Sequence, residues 1–235
     1  MLRKMPENLP VASLLAVLGT LAAVPAMAQS QPEFAVSGQI GLASEFIGKG
    51  IGKSNGELSP FVSAEIESGA AYASVFVASA ELSQGADAEI ISAIGYRPEV
   101  GSVSLDLSVI NRDLPGTRAG VDSNYFEYQV DASRKFGPVS TRLRVNYTPD
   151  GFGATREAWW TELQGSLAVG TATKLSAAIA DRTADGGAGY AAWNIGAKHR
   201  IGDQVTLDLR YFGTDSSQIS ESYEDRIVAS ISVSL

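Results

Sequence analysis

In the stretch DRIVASISVSL, Asp225 to Leu235, every second residue from Ile227 onward is apolar. Ile227, Ala229, Ile231, Val233 and Leu235 are apolar, while Arg226, Ser230, Ser232 and Ser234 carry the polar positions around them. A period of two is the signature of a β-strand with one apolar and one wetted face. Soluble domains usually let their last residues fray into a polar tail, whereas this strand continues to an apolar residue. A closed barrel accounts for that, because its last strand pairs with its first and leaves no free edge. In such a barrel the apolar set faces lipid and Arg226, Ser230, Ser232 and Ser234 face the lumen.

The other end of the chain is consistent with export. Arg3 and Lys4 precede an uncharged run of 14 residues, VASLLAVLGTLAAV, from Val11 to Val24, and Ala26 and Ala28 flank Met27. That is the n-region, h-region and A-x-A site of a secretory signal peptide, too short for a spanning helix of about 20 residues. Cleavage is expected after Ala28, leaving 29–235 as the mature barrel. The chain has no cysteine, which rules out disulfides and thiol chemistry. Setting Arg3, Lys4 and Glu7 apart from 18 basic and 26 acidic side chains leaves a net charge near −9, adverse to nucleic acid. No later apolar run approaches the length of a spanning helix, which excludes a helical membrane protein and leaves either an exported soluble protein or a barrel.

Twelve candidate strands follow Gln29. Val103–Asn111 sets Val103, Leu105, Leu107 and Val109 against Ser104, Asp106 and Ser108. Tyr125–Arg134 sets Phe126, Tyr128, Val130 and Ala132 against Tyr125, Glu127, Gln129 and Asp131. Val139–Tyr147 opposes its apolar residues to Ser140, Arg142, Arg144 and Asn146, and Trp159–Val169 opposes Trp159, Leu163 and Leu167 to Trp160, Glu162 and Gln164. Val205–Phe212 and the C-terminal strand are equally regular. Phe34–Glu45, Leu58–Ser68, Ala70–Ala80, Ala88–Arg97, Leu175–Arg182 and Ala191–Arg200 are looser. Most of these lengths suit a strand tilted about 40° across an apolar band about 25 Å tall.

Connections alternate between short turns, such as FGP at 136–138 and IGDQ at 201–204, and long loops, such as FIGKGIGKSNGE and RDLPGTRAGVDSN. The series begins and ends on the short-turn side. This predicts an all-β, up-and-down antiparallel transmembrane barrel of about 12 strands with both termini periplasmic. Phe126, Tyr147, Trp159, Trp193 and Tyr211 fall on apolar faces near the long loops, and Phe34, Tyr96 and Phe136 near the short turns. Two such bands match the aromatic girdles of membrane interfaces.

Several stretches resemble the TorF-type porin family of proteobacteria. Its members tend to run from the first strand into S-[DE]-[YF]-x-x-[RK]-G-I-x-x-S, matched here by Ser44, Glu45, Phe46, Lys49, Gly50, Ile51 and Ser54. YTPDGFG at 147–153, WNIG at 193–196 and LDLRYFGTD at 207–215 are also similar. Lys49 stands where arginine is common, and Leu235 where outer-membrane barrels usually end in an aromatic. The resemblance implies an outer-membrane porin with no catalytic residues.

Chemistry-bearing patterns are sparse. GKGIGKS at 48–54 lacks the P-loop spacing, since Ile47 stands where its first glycine belongs, and NGELSP follows instead of a helix. The single histidine, His199, falls on the Trp193, Ile195 and Ala197 face, and without cysteine or further histidine no nucleophile–base pair is available. Asp181 and Asp185 suggest Ca²⁺ only weakly beside a solvated loop. The expectation is no enzyme, no cofactor and no metal.

The wet face is the informative one. It carries Glu45, Glu65, Glu89, Asp106, Glu127, Asp131, Glu162 and Asp208, and also Arg97, Arg142, Arg144, Arg182, Lys198, Arg200, Arg210 and Arg226. Charges of both signs cannot form an apolar core, so the interior holds either water or ion pairs. The expected pore-lining set is Glu127, Asp131, Arg142, Arg144, Glu162, Arg182, Lys198, Arg200, Asp208, Arg210 and Arg226. Their cationic members, drawn from the seventh and the ninth to twelfth strands, would set up a transverse field. The function expected is passive diffusion of small hydrophilic solutes or ions, and the alternative is a closed structural or binding barrel that presents its loops. Expected partners are outer-membrane lipid, the solutes, and the barrel-assembly machinery that reads the terminal strand.

Overall fold

The computed structural model describes residues 33–235. The expected signal peptide, residues 1–28, lies outside them. Twelve long strands are present: β1 Ala35–Ala43, β2 Ser59–Ser68, β3 Ala71–Ser79, β4 Ala88–Tyr96, β5 Val103–Asp113, β6 Asn124–Phe136, β7 Val139–Thr148, β8 Ala158–Val169, β9 Thr173–Ala184, β10 Tyr190–Ile201, β11 Val205–Thr214 and β12 Arg226–Ser234. Each pairs antiparallel with the next, and β12 returns to β1, with register running from Gln39 opposite Ser234 to Ala43 opposite Ser230. The Leu235 N–H donates to the Gly38 carbonyl at 2.9 Å, so pairing continues to the end of the chain. The all-β closed barrel of twelve strands is thus the observed fold.

Its short connections work through backbone geometry. Gly137 (φ 58°) and Gly202 (φ 62°) occupy the left-handed region where the chain reverses most tightly, a conformation other residues adopt only with strain. Every expected segment overlaps an observed strand, and the differences lie at strand ends. β5 runs past Asn111 to Asp113, which brings Arg112 onto the same face as Asp106 and Ile110.

One face of the sheet is apolar and uncovered by protein, with Ile227 at 70%, Ile94 at 65% and Ile179 at 64% exposure. Tyr128, Tyr147 and Trp159 stack side by side on it toward the long loops, with ring centres 6.4 and 4.5 Å apart. Its opposite face carries Glu89 and Glu127, both at 0% exposure. The alternation that puts branched aliphatics outside and carboxylates inside is the inverse of a soluble core, and it is the pattern lipid imposes on a barrel.

Inner side chains are fitted by glycines. Phe61 lies across Gly41 of β1, where a Cβ would meet the ring Cε1 at 2.8 Å and the Ile231 carbonyl at 2.6 Å. Phe61 stacks on Phe76 (5.9 Å), which in turn meets Phe46 from the first long loop (5.7 Å). An apolar wall therefore forms on the β1–β3 side of the interior.

Candidate functional site

The first long loop, residues 44–58, does not stand away from the barrel. Ile47–Gly48 and Ile51–Gly52 pair as a miniature antiparallel hairpin. Its two-residue turn is Lys49-Gly50, both at positive φ (51° and 80°), the left-handed pair that type I′ hairpins require. Lysine is an uncommon residue there, and its side chain shows what holds it: the ammonium pairs with Glu127 on β6. At Gly50 a Cβ would sit 2.7 Å from the Ala192 methyl of β10, so glycine lets the tip press against the opposite wall.

The remaining motif residues brace the hairpin. The Phe46 N–H donates to Ser54 Oγ at 3.0 Å, and the Ser54 hydroxyl donates to the Glu57 carbonyl at 2.7 Å. Glu45 pairs with Arg226 of β12 and accepts from the Gly56 N–H at 3.3 Å. Ser44 Oγ accepts from the Ala229 N–H at 3.1 Å. Ile51 packs on Trp160, Tyr190 and Ala192, and the Tyr190 hydroxyl donates to the Lys49 carbonyl at 2.8 Å. The spacing of the sequence motif is thus a set of struts for a loop folded into the lumen.

Under the hairpin lies a closed box of charge. Lys53 Nζ is 2.5 Å from Glu89 of β4. Arg112 of β5 bridges Glu89 and Glu127, at 2.7 Å to the latter, and Thr148 donates to Glu127 at 3.1 Å. Three cations against two carboxylates leave one excess positive charge in a buried volume. Burial pushes the Lys49 ammonium down to about 8 against the pull of Glu127, and lowers Lys53 as well.

Toward the short turns the inner face is a second set of pairs. Arg144 forks onto Asp131 at 2.8 and 2.6 Å, and Arg142 reaches Glu162 at 2.6 Å. Arg210 bonds Asn194 (2.7 Å) and Ser176 (2.9 Å) and lies 3.4 Å from Asp208, which Lys198 approaches at 3.9 Å. Arg97 forks onto Glu65 at 2.7 and 2.8 Å and lies 3.8 Å from the Tyr72 ring centre. Arg182 donates to the Ala188 carbonyl, Arg200 to the Thr171 carbonyl at 3.3 Å, and neither has a carboxylate partner among the described residues.

The register places all eleven residues expected to line the lumen on this inner face. Arg112, Lys49 and Lys53 were outside that set, and each pairs with a fully buried carboxylate, Glu89 or Glu127. Water-sized space remains on both sides of the hairpin: about 260 Å³ toward the long loops, beside Lys49, Tyr125, Arg182 and Tyr190, and about 530 Å³ toward the short turns, beside Lys135, Arg142, Gln164 and Lys174. His199 is on the outer face with its Nδ1 2.9 Å from the Thr173 hydroxyl, and Asp185 is paired with Arg156 at 2.9 Å.

A closed twelve-stranded barrel with a charged interior and an apolar belt is the architecture of an outer-membrane-type β-barrel. It is similar to KdgM porin (8% identity, covering 85% of this chain and 98% of that one, TM-score 0.57) and to NanC porin (7%, 85% and 98%, TM-score 0.55). An outer-membrane channel from Pseudomonas putida F1 is also similar (11%, 90% and 98%, TM-score 0.51). At these identities the likeness is one of fold alone. Residues 27–233 match the Gcw_chp family, described as a bacterial protein of unknown function, and the chain belongs to that family. No curated protein matches the sequence.

Proposed function

We propose that the chain is an outer-membrane channel through which small hydrophilic solutes diffuse passively, with the first long loop as its constriction. The observation that supports this most is the inner face itself: ion pairs and hydroxyls border water-sized space on both sides of the docked hairpin, where a packed barrel would place side chains that fill it. The apolar outer belt, the aromatic bands and the signal-peptide pattern support a place in the outer membrane. Resemblance of the 44–54 motif to TorF-type porins points the same way. The eleven inner residues named above would line the path, and no chemical step is involved. A water-filled lumen lowers the cost of crossing, and the lining charges bias what crosses.

Planar-bilayer recording of the refolded protein is the test. Small, discrete conductance steps are expected. Silence from protein that shows the heat-modifiable gel mobility of a folded barrel would overturn the channel reading in favour of a closed barrel that presents its loops.

A further inference from the structure

We propose that the cavity on the long-loop side of the hairpin is a binding site for a small hydroxylated organic acid, held by Arg182 with Lys49 beside it. The inference deepens the channel reading by naming a solute class for its outer vestibule, and it rests on that reading only for its physiological use.

Arg182 carries the argument. Its guanidinium reaches a backbone carbonyl, that of Ala188, but no carboxylate among the described residues, although nearly every other inner arginine is forked or bridged onto an acid. It is half-buried against the Tyr190 ring, 5.8 Å away, and lines a cavity of about 260 Å³. Arginine presents several donors in a planar fork that fits a carboxylate bidentately, so a guanidinium that meets no acid and borders a cavity suits a carboxylate entering it. Lys49 and Lys53 line the same cavity together with Glu127, at the corner of a charge box that already has one cation in excess. With Arg182 added, the lining sets three cations against one carboxylate, a balance that favours an entering anion over a cation.

The rest of the lining sets size and polarity. The Tyr125 phenol and the Thr148 hydroxyl border the space, as do the rings of Tyr190 and Tyr223, edge-to-face at 5.2 Å. Apolar ring faces with a few hydroxyls and a small number of charged groups are the composition of small-molecule pockets. Its volume falls just below the roughly 300–1,000 Å³ typical of drug-sized ligands, which suits a short-chain acid and not an oligomer.

The test is equilibrium binding to the full chain in detergent micelles, followed by calorimetry and by fluorescence of Trp160, which packs against Tyr190 at the base of the cavity. Gluconate, glucose and inorganic phosphate are the probes. Saturable gluconate binding is expected, weakened by salt, with glucose binding far more weakly. Arg182→Gln should weaken gluconate about ten-fold or more, and Arg182→Lys, which keeps the charge but loses the fork, should fall between. Lys174→Gln, at the far mouth, should leave binding unchanged and controls for folding. Equal affinity for glucose and gluconate, preference for phosphate over gluconate, or an Arg182→Gln variant that folds and binds as the parent does would each overturn the proposal. Because no current is measured, a barrel that binds without conducting separates this proposal from the channel reading, as does one that conducts without binding.

Discussion

Lys53, from a loop near the start of the barrel, places its ammonium 2.5 Å from Glu89, a residue of β4 at 0% exposure. The pair ties a connecting loop to the wall of the lumen, and Arg112 ties the same carboxylate to the strand beyond. Removing one member of a buried charge set costs about 3–5 kcal/mol, because the partners are left uncompensated.

Glu89→Gln should therefore release the hairpin. Lys53 and Arg112 would face each other with only Glu127 between the three cations, and repulsion would favour the loop outside the lumen. Single-channel conductance should rise several-fold, and trypsin should cut after Lys49 or Lys53 far faster than in the parent. If both readouts stay at parental values, the hairpin is held by Ile51, Tyr190 and its glycines and not by charge.

Docking should also depend on pH, with a sign fixed by the burial of the lysine ammonium groups. The docked Lys49 titrates at about 8, against an ordinary value of 10.5. Stability rises with pH wherever the less structured state binds more protons, and between about 8 and 10.5 the undocked loop does. The penalty of the buried ammonium is complete below pH 8 and is relieved as pH climbs through that window, and Lys53 is shifted in the same direction. Conductance should fall between pH 7.5 and 9.5 by roughly the population change this linkage implies, and Lys49→Met should flatten the response. A parental conductance that rises over the same range contradicts the sign.

Arg142 and Arg144 offer a test of the inner charges as a selectivity device. Each is paired with an acid, to Glu162 and Asp131 respectively, so the double change to alanine leaves two carboxylates unopposed on the two strands that flank β7. Reversal potentials in a salt gradient should move toward cation preference. An unchanged reversal potential would mean that ions do not pass this part of the wall.

How much of this was legible beforehand depends on which contacts are local. Alternation along 103–111 or 205–212 assigns each residue to a face without knowledge of any partner, and cross-strand neighbours follow from strand order, which is why Asp131, Arg144 and Glu162 could be set side by side. The docked hairpin could not be read in that way. Lys49 and Lys53 meet partners 78 and 36 residues away, and in a glycine-rich loop nothing periodic marks a lysine as buried. Arg112 was lost at a strand end, where periodicity fades within a residue or two. The signal that pointed to the loop was the GKGIG spacing, whose glycines serve close approach and a left-handed turn and do not cradle phosphate.

The assignment of faces has its sharpest test in the strand that began the argument. Ile231 lies between Leu42 of β1 and Leu207 of β11 on the outer face, mid-strand, while its neighbour Ser230 lies opposite Asp208 on the inner one. A lysine on the lipid face near the bilayer midplane costs about 2–4 kcal/mol. The same residue one position earlier would point into a cavity of about 260 Å³ and gain an acid across the strand. Ile231→Lys should therefore lower the stability of the protein in lipid vesicles by about that amount in a urea titration, and Ser230→Lys should leave it near the parent. Because a one-residue slip exchanges the two faces of a strand entirely, the opposite ranking would mean the strand is inverted, and equal costs would mean that neither face meets lipid.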